Sequence, residues 1–323
     1  MLTSYELVLC PSLPDSLATL NFVFPCPAQQ KTMATASTSP APTAAADAAA
    51  NQQAKIKFFT NHGCGWSHRV HIVLKELGLE YEEVIINMDE PRPQWFLELN
   101  PRGLVPVLQY TPYPSSPDSS TDTLTLTESA QIVSFFTDLY PSHLIPTIPA
   151  LASGSIQSAG AGQVEAAYVR YRMSFFVDTY FTKINPLMFK LVGADNGEPQ
   201  DRIVQEIWRL LERDIEPLLS EVNENGRGPY FGGSEKLTVV EAMTIPFVLR
   251  LVDFSNDIIF PARLAKEILD TDKATGKLPR FAKWAKLCMQ HPSVTYTWDK
   301  EYMVPRIVER LPAAKRKYAP ARD

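Results

Sequence analysis

One cysteine stands between two glycines in the segment NHGCGWSHRV, which runs from Asn61 to Val70. The segment follows a short apolar run and precedes residues with helical spacing, so Cys64 is expected at the N-terminus of a helix. Free backbone N–H groups and the helix dipole there favour a thiolate, which is a nucleophile at neutral pH. Gly63 and Gly65 leave the backbone open to a ligand. These features predict a reactive Cys64; a buried, inert cysteine is the alternative.

The residues that follow Cys64 limit its chemistry. Ser67 stands where a dithiol motif has its second cysteine, so the partner thiol must come from another molecule, and glutathione is the natural candidate. His68 and His71 suggest a general base or a metal site with Cys64. A clear fourth ligand is lacking, so we expect no metal. Arg69 is expected to be a solvated charge.

The elements that must position Cys64 follow an α/β pattern. KIKFFT reads as a strand, and SHRVHIVLKELG reads as a helix that Gly78 ends. The remaining segments of this half, in chain order, are YEEVIINM, PRPQWFLELN, LVPVLQY, TLTLTES and SAQIVSFFTDLYP. The resulting order is β-α-β-α-β-β-α, with a parallel pair at the start and an antiparallel pair at the end. We therefore predict an α/β N-terminal domain with the thioredoxin arrangement.

Beyond Pro146 the strand pattern ends and helical patterns follow, which predicts an all-α C-terminal domain. One long helix is expected at 164–191, and Thr238 with Glu241 has the spacing of a capping box. The predicted parts are a disordered extension at 1–53, a thioredoxin-like domain at 54–147, a linker at 148–162, an all-helical substrate domain at 163–303 and a basic tail at 304–323. The tail is expected to be a frayed end.

Charge and composition exclude several classes of function. The 31 Lys+Arg and 36 Asp+Glu residues give a net charge of -5, which offers no electrostatic reason to expect nucleic acid or an anionic membrane. No stretch reaches the roughly eighteen apolar residues of a membrane-spanning helix. The first residues resemble neither a secretory signal nor a mitochondrial presequence, and Met33 is an alternative start. Four widely spaced cysteines indicate a reducing compartment, so we expect a cytoplasmic protein without nucleic-acid or membrane partners.

Several segments together resemble one family. GCGWSHRVHIVLKELGLEYE, PQWFLELNPRGLVPVL and TESAQIVSFFTDLYPSHLIP resemble the N-terminal domain of cysteine-type, omega-like glutathione S-transferases. PYFGGSEKLTVVEAMTIPFVLRL and LPRFAKWAKLCMQHPSV resemble helices of that family's all-α domain. The GWSHR variant after the cysteine is similar to omega-like forms found in fungi, some of which serve secondary metabolism. The resemblance implies the two-domain glutathione transferase fold, glutathione as co-substrate and a homodimer.

The resemblance also implies roles for particular residues. Cys64 matches the catalytic cysteine that forms a mixed disulfide with glutathione. The implied glutathione-binding residues are Val105 beside a cis Pro106 for the cysteinyl backbone, Glu128 and Ser129 for the γ-glutamyl group, and Arg92 near the glycyl carboxylate. On the residues alone, Pro106 is also compatible with a strand-edge proline, Ser129 with a simple helix cap and Arg92 with a free surface arginine.

A second-substrate pocket is expected between the two domains. Tyr168, Tyr171 and Phe175 lie at i, i+3 and i+7 of a predicted helix, and we expect them to line this pocket with Trp298 and Tyr302. An aromatic stripe at helical spacing is also typical of a core.

The predicted function is glutathione-dependent thiol transfer, in which Cys64 reduces glutathionyl conjugates or disulfides through a mixed disulfide. One alternative is conjugation of glutathione to an electrophile such as a secondary-metabolite intermediate. A second alternative is a non-catalytic glutathione-binding protein. The glycine-flanked thiol is also similar to monothiol glutaredoxins, which can hold an iron-sulfur cluster with glutathione.

Overall fold

The computed structural model describes residues 54–113, 122–147, 160–219, 228–272 and 276–319. All of these residues belong to one compact unit. The predicted disordered extension and most of the predicted linker lie outside the described residues. The predicted domain boundaries therefore stay predictions.

The first half of the described unit contains four strands and three helices in the predicted order. Their bounds are β1 (Lys55–Thr60), α1 (Gly65–Glu76), β2 (Glu82–Ile85), α2 (Gln94–Leu99), β3 (Val107–Thr111), β4 (Leu124–Thr127) and α3 (Ser129–Leu139). The sheet order is β2-β1-β3-β4, with β1 and β2 parallel and the other two pairs antiparallel. The predicted thioredoxin-like arrangement is confirmed.

The sheet separates two hydrophobic cores, because successive side chains of a strand point to opposite faces. Phe58 of β1 belongs to the larger core. This core lies on the face of the sheet that α1 covers, and it continues into the helical half of the chain. Phe59 packs in the smaller core with Phe96 of α2 on the other face. Helix α1 therefore lies between the sheet and the helical half.

The second half is helical, as predicted. The bounds are α4 (Ala161–Thr179), α5 (Asn185–Gly193), α6 (Glu198–Leu210), α7 (Val239–Asp253), α8 (Ala262–Ile268), α9 (Pro279–Met289), α10 (Pro292–Thr295) and α11 (Lys300–Tyr318). A π turn at Tyr180–Ile184 separates α4 from α5 within the single helix expected at 164–191. Among the described residues, none of the helices combines the length and apolar character needed to cross a membrane.

The predicted capping box at the start of α7 is confirmed. The Val240 N–H donates to Thr238 Oγ1 at 3.2 Å, and the Thr238 N–H donates to the Glu241 carboxylate at 2.8 Å. The buried Glu241 carboxylate also accepts the backbone N–H of Phe231 and the indole N–H of Trp284, both at 2.7 Å. Glu241 thus joins the start of α7 to the preceding turn and to α9.

As far as Tyr318, the predicted basic tail is helical and is not the frayed end that its composition suggested. Helix α11 continues to Tyr318, whose ring lies 5.1 Å from that of Phe189 in α5, measured between centroids. Met303 and Leu311 of the same helix are buried. The prediction was wrong because one face of this helix carries enough apolar side chains to pack on the fold while its charges stay in water.

Candidate active site

Cys64 lies where β1 passes to α1, as the sequence predicts. It is the N-cap residue of α1, with φ −83° and ψ 118°, and its carbonyl accepts the His68 N–H at 3.1 Å as the helix begins. The side chain is half-buried, and Sγ lies 3.9 Å from the carbonyl oxygen of Val105. The sulfur therefore keeps some solvent access and faces the segment that leads into β3.

Gly65 allows an aromatic ring of α7 to approach the start of α1. A Cβ at position 65 would lie 3.1 Å from Cε1 of Phe247, which is tighter than ordinary van der Waals contact. The Phe247 ring also packs edge-on against Trp66, with centroids 4.6 Å apart. A larger residue after Cys64 would displace this ring, so the close approach explains the glycine.

Four of the predicted glutathione-binding residues line one cavity beside Cys64. The Val105–Pro106 peptide bond is cis. The cavity has a volume of about 260 Å³ and is lined by Trp66, Asn100, Leu104, Val105, Pro106, Glu128 and Ser129. Neighbouring strands gather these residues, because Val105 and Pro106 precede β3 while Glu128 and Ser129 follow β4. We refer to this space as the thiol-side cavity.

Glu128 has an unusual backbone conformation at the edge of this cavity. Its φ of 67° lies in the left-handed region that non-glycine residues rarely adopt. Its carboxylate pairs with Arg102 at 2.7 Å, and both side chains are more than half exposed. Sequence reasoning missed Arg102, Asn100 and Trp66; the one signal for Trp66 was its position two residues after Cys64.

Arg92 lies outside the lining of the thiol-side cavity. Its guanidinium donates to the carbonyl oxygens of Asn87 at 2.7 Å, Glu90 at 2.5 Å and Gly103 at 3.1 Å. Arg92 is therefore not a free surface arginine, because it ties the loop before α2 to the turn after it. The predicted contact of Arg92 with the glycyl carboxylate of glutathione is not supported by this geometry and stays a prediction.

Arg69 is buried, so the expectation of a solvated charge was wrong. Only 3% of the residue is exposed. Its Nε donates to the Met243 carbonyl at 2.9 Å and its Nη1 donates to Ser129 Oγ at 3.1 Å. The guanidinium carbon lies 4.0 Å from the ring centroid of Phe181 and 4.5 Å from that of Trp66. The aromatic rings shield the charge from water and hold it in place.

Two buried arginines interact electrostatically with Cys64. Burial lowers the pKa of Arg69 to about 9, an effect that negative charge on Cys64 and Tyr180 opposes. Burial likewise lowers the pKa of Arg250 to about 10, and negative charge on Cys64 opposes it. Arg250, from α7, also donates to the Gly63 carbonyl at 3.2 Å. The turn that carries Cys64 is thus held next to two positive charges.

His68 and His71 form neither a general base nor a metal site with Cys64. His68 is buried, with Nε2 2.7 Å from the Val294 carbonyl oxygen and Nδ1 3.2 Å from Nη1 of Arg250. Burial and then the Arg250 charge place the pKa of His68 well below its usual value. His71 uses its two nitrogens on Thr60 and Tyr81.

The structure does not bring together the five residues predicted for the second-substrate pocket. Tyr168, Tyr171 and Phe175 stack along the exposed side of α4, with successive ring centroids 6.1 Å and 6.0 Å apart. The side of α4 that packs on the fold instead presents Met173 and Phe176. The grouping is corrected because the spacing i, i+3, i+7 identified a helix face without identifying which face is buried.

The other two predicted pocket residues lie elsewhere. The indole N–H of Trp298 donates to the Asp253 carboxylate at 2.7 Å. Tyr302 of α11 lines a cavity of about 320 Å³ that also borders Gly63, next to Cys64.

A wider cavity of about 600 Å³ shares Trp66 with the thiol-side cavity. Its apolar lining includes Met173 and Val177 of α4, Phe181 and Met243. We refer to this space as the Trp66 cavity. Because Trp66 belongs to both linings, a ligand in the Trp66 cavity would adjoin one in the thiol-side cavity.

The known proteins to which this chain is similar include glutathione S-transferases. Residues 63–139 match the family model of the glutathione S-transferase N-terminal domain. Rat glutathione S-transferase omega-1 is 24% identical over 241 residues, which cover 74% of this chain and 79% of the relative. The crystal structure of glutathione transferase Omega 2C from Trametes versicolor superposes with a TM-score of 0.60 at 24% identity, covering 80% of this chain and 99% of the other.

A rice glutathione S-transferase solved in complex with glutathione superposes with a TM-score of 0.58 at 21% identity, covering 83% of this chain and 99% of the other. These structural matches show the shared fold, and the sequence matches point to the omega class. The chain is therefore similar in sequence to the omega-class glutathione S-transferases and shares the glutathione S-transferase fold.

Proposed function

We propose that the protein is a glutathione-dependent thiol transferase in which Cys64 is the nucleophile. The observation that carries this proposal is the position of its half-buried Sγ, 3.9 Å from the carbonyl oxygen of Val105, a residue that lines the thiol-side cavity. Cys64 caps the N-terminus of α1, and the buried guanidinium groups of Arg69 and Arg250 interact electrostatically with it. A thiolate in that position can attack a sulfur atom held in the cavity.

The reaction takes two exchange steps. The Cys64 thiolate attacks the glutathione sulfur of a mixed disulfide between glutathione and a substrate thiol, forming a Cys64–glutathione disulfide and releasing the substrate thiolate, which takes a proton from water. A second glutathione thiolate then attacks the glutathione sulfur of the enzyme adduct. This step yields oxidised glutathione and restores the Cys64 thiolate, so electrons and protons balance.

The thiol-side cavity offers groups suited to the tripeptide. Among the described residues, no backbone group pairs with the Val105 N–H, so the cysteinyl backbone of glutathione can pair with it. Ser129 opens α3, where a helix N-terminus favours a carboxylate, and the Glu128 carboxylate suits the γ-glutamyl ammonium. The Arg102 guanidinium, paired with Glu128, offers a cation near the same end of the cavity.

The second substrate is proposed to enter the Trp66 cavity. Its apolar lining by Met173, Val177 and Phe181 suits an aromatic or aliphatic group attached to the reacting sulfur. Because Trp66 lines both cavities, we expect such a group to lie beside the glutathione moiety. A homodimer and a cytoplasmic location stay predictions.

The decisive experiment is intact-mass spectrometry after incubation with oxidised glutathione. We expect one added glutathionyl group, mapped by peptide analysis to Cys64 and removed by reduced glutathione. Cys288 is fully buried and its pKa is raised well above the usual value by burial, so Cys288→Ser should form the same adduct. Cys64→Ser should form no adduct at this turn.

The outcome separates the rival functions. A chain that binds glutathione but forms no adduct at Cys64 would contradict the thiol-transfer mechanism. Aryl halide conjugation without an adduct would favour the conjugating alternative, and no turnover at all would favour a binding protein. A brown protein with visible absorbance would favour the iron-sulfur alternative.

A further inference from the structure

Three side chains from three elements converge on the side of α1 away from the Ser129 contact. His62 belongs to the turn between β1 and α1, His71 to α1 and Glu83 to β2. Their nearest nitrogen and oxygen atoms all lie within 4.8 Å of one another. Glu83 Oε1 lies 2.8 Å from His62 Nε2 and 3.5 Å from His71 Nε2. We refer to these three residues as the His-His-Glu cluster.

We propose that the His-His-Glu cluster is a binding site for a divalent transition-metal ion of the Zn²⁺ type. Two imidazole nitrogens and one carboxylate oxygen are ligands that such ions prefer, whereas Mg²⁺ and Ca²⁺ prefer oxygen ligands throughout. Zn²⁺ lies about 2.0–2.1 Å from such ligands, so tetrahedral neighbours lie about 3.3 Å apart. The separations of Glu83 Oε1 from His62 Nε2 and His71 Nε2, 2.8 Å and 3.5 Å, lie on either side of this value.

The surroundings of His71 resemble the support that a metal ligand needs. The ring is buried, and its Nδ1 lies 2.9 Å from the hydroxyl of Tyr81. Phe58 packs edge-on against the ring, with centroids 4.7 Å apart. A hydrogen bond to the second nitrogen fixes the ring and directs Nε2 toward the metal position. Thr60 Oγ1, 2.9 Å from Nε2, would have to turn away when a metal binds.

The other two ligands provide access and an open position. The side chains of His62 and Glu83 are about one-third exposed, at 35% and 32%. An ion can therefore enter from solvent, and water can complete a fourth position, since the three residues supply only three ligands. His62 lies two residues before Cys64, so a bound ion would tether the cysteine-bearing turn to β2.

A second histidine-carboxylate cluster provides a matched contrast. Glu76 lies 2.8 Å from His143 Nε2 through Oε2 and 3.6 Å from His291 Nδ1 through Oε1. The two histidines approach different oxygens, and the Ser293 hydroxyl also bonds to Oε1. The three side chains do not converge on one point, so this cluster is expected to bind no metal.

The test uses the full chain without a histidine tag, stripped with a chelator, and Zn²⁺ alone as the probe. Calorimetry should give one Zn²⁺ per chain, and Co²⁺ should give the intense visible bands of a four-coordinate ion. His62→Gln and Glu83→Gln change exposed side chains and should each weaken Zn²⁺ binding by about 100-fold. The control His143→Gln should bind as the wild type does, and Zn²⁺ should raise the melting temperature of the wild type and of this control more than that of His62→Gln or Glu83→Gln.

Cys64→Ser distinguishes the proposed site from the nearby sulfur and should leave Zn²⁺ binding unchanged. Loss of binding in Cys64→Ser would overturn the proposal, because the thiolate would then be the ligand. Unchanged affinity in both His62→Gln and Glu83→Gln would also overturn it. So would a weakly absorbing octahedral Co²⁺ spectrum or the absence of stoichiometric binding. None of these measurements requires glutathione, so they stand or fall separately from the proposed thiol transfer.

Discussion

Arg69 Nη1 donates a hydrogen bond to Ser129 Oγ at 3.1 Å, which joins α1 to α3 beneath the thiol-side cavity. Because Arg69 uses an acceptor site on this oxygen, the Ser129 O–H remains available to donate to another group. Ser129 lines the cavity in which glutathione is proposed to bind. The contact with the buried guanidinium therefore leaves Ser129 able to donate a hydrogen bond to a ligand in this cavity.

We expect this relationship to appear as coupling in a double-mutant cycle. Ser129→Ala should weaken glutathione binding by about tenfold, or about 1.4 kcal/mol, through loss of a hydrogen bond to a charged group. Arg69→Met should weaken glutathione binding because it disturbs Ser129. The double variant should therefore bind glutathione no more weakly than the single variant with the lower affinity. Calorimetry measures the three dissociation constants, and thermal melting checks that each variant folds. Additive losses would contradict coupling through Ser129.

Replacing the Cys64 sulfur should distinguish thiol transfer from conjugation of glutathione to an electrophile. Cys64→Ser should abolish thiol transfer and the reduction of dehydroascorbate-type substrates, because no mixed disulfide can form on a hydroxyl. Conjugation of glutathione to an aryl halide should persist or increase. Coupled glutathione oxidation and aryl halide assays measure both activities, with Cys288→Ser as the matched thiol control. Reductase activity that is unchanged in Cys64→Ser would refute the nucleophile role.

The proposed location of the second substrate can be tested on the two faces of α4. Val177 lines the Trp66 cavity, whereas Tyr171 lies in the exposed aromatic stack. Val177→Phe should raise KM for a bulky glutathionyl conjugate by about tenfold because the ring fills the apolar space. Tyr171→Ala should leave this KM unchanged, and neither variant should alter glutathione affinity. A raised KM in Tyr171→Ala together with an unchanged KM in Val177→Phe would instead indicate that the second substrate binds at the exposed face of α4.

Local sequence patterns predicted the sheet and the cysteine turn well because their causes are local. KIKFFT places Phe58 and Phe59 on opposite faces, and Gly78, at φ 64°, ends the turn after α1. The π turn at Tyr180–Ile184 was missed because its apolar spacing is close to that of the helices around it. A short stretch of sequence therefore cannot distinguish a π-helical turn from the α-helix around it.

The site was predicted where family motifs mark it and missed where distant packing determines it. Val105 and Ser129 were found from their motifs and do line one cavity. The burial of Arg69 depends on Met243, which lies 174 residues further along the chain. Arg92 depends on carbonyl groups of a loop that has no periodic pattern. These contacts become visible only when the chain is folded.

Glu241 should contribute strongly to stability. Its buried carboxylate accepts from the N–H groups of Phe231, Thr238 and Trp284, so Glu241→Ala would leave several buried donors without an acceptor. We expect the free energy of unfolding to fall by about 3–5 kcal/mol, because each buried donor left without an acceptor costs about 1–3 kcal/mol. Urea titration measures the loss. The control Glu206→Ala, in an exposed pair, should change little, and equal effects in both variants would contradict this role.

His68 should make the protein less stable in mild acid. Burial and the Arg250 charge lower its pKa well below 6.5, with smaller contributions from His71 and His62, so the unfolded chain binds a proton more readily than the folded one. The contribution of neutral His68 is therefore fully present above about pH 6.5 and is lost as the pH falls toward the folded pKa. Urea titrations between pH 7.5 and about pH 4.5 should show this decline.

His68→Gln isolates this contribution because an amide can still donate to the Val294 carbonyl and accept from Arg250. In this variant the slope of the free energy of unfolding against pH should decrease by up to about 1.4 kcal/mol per pH unit, the value for one proton. The buried His71 should still contribute part of the slope that remains. An unaltered slope in His68→Gln would mean that other groups take up the protons on unfolding.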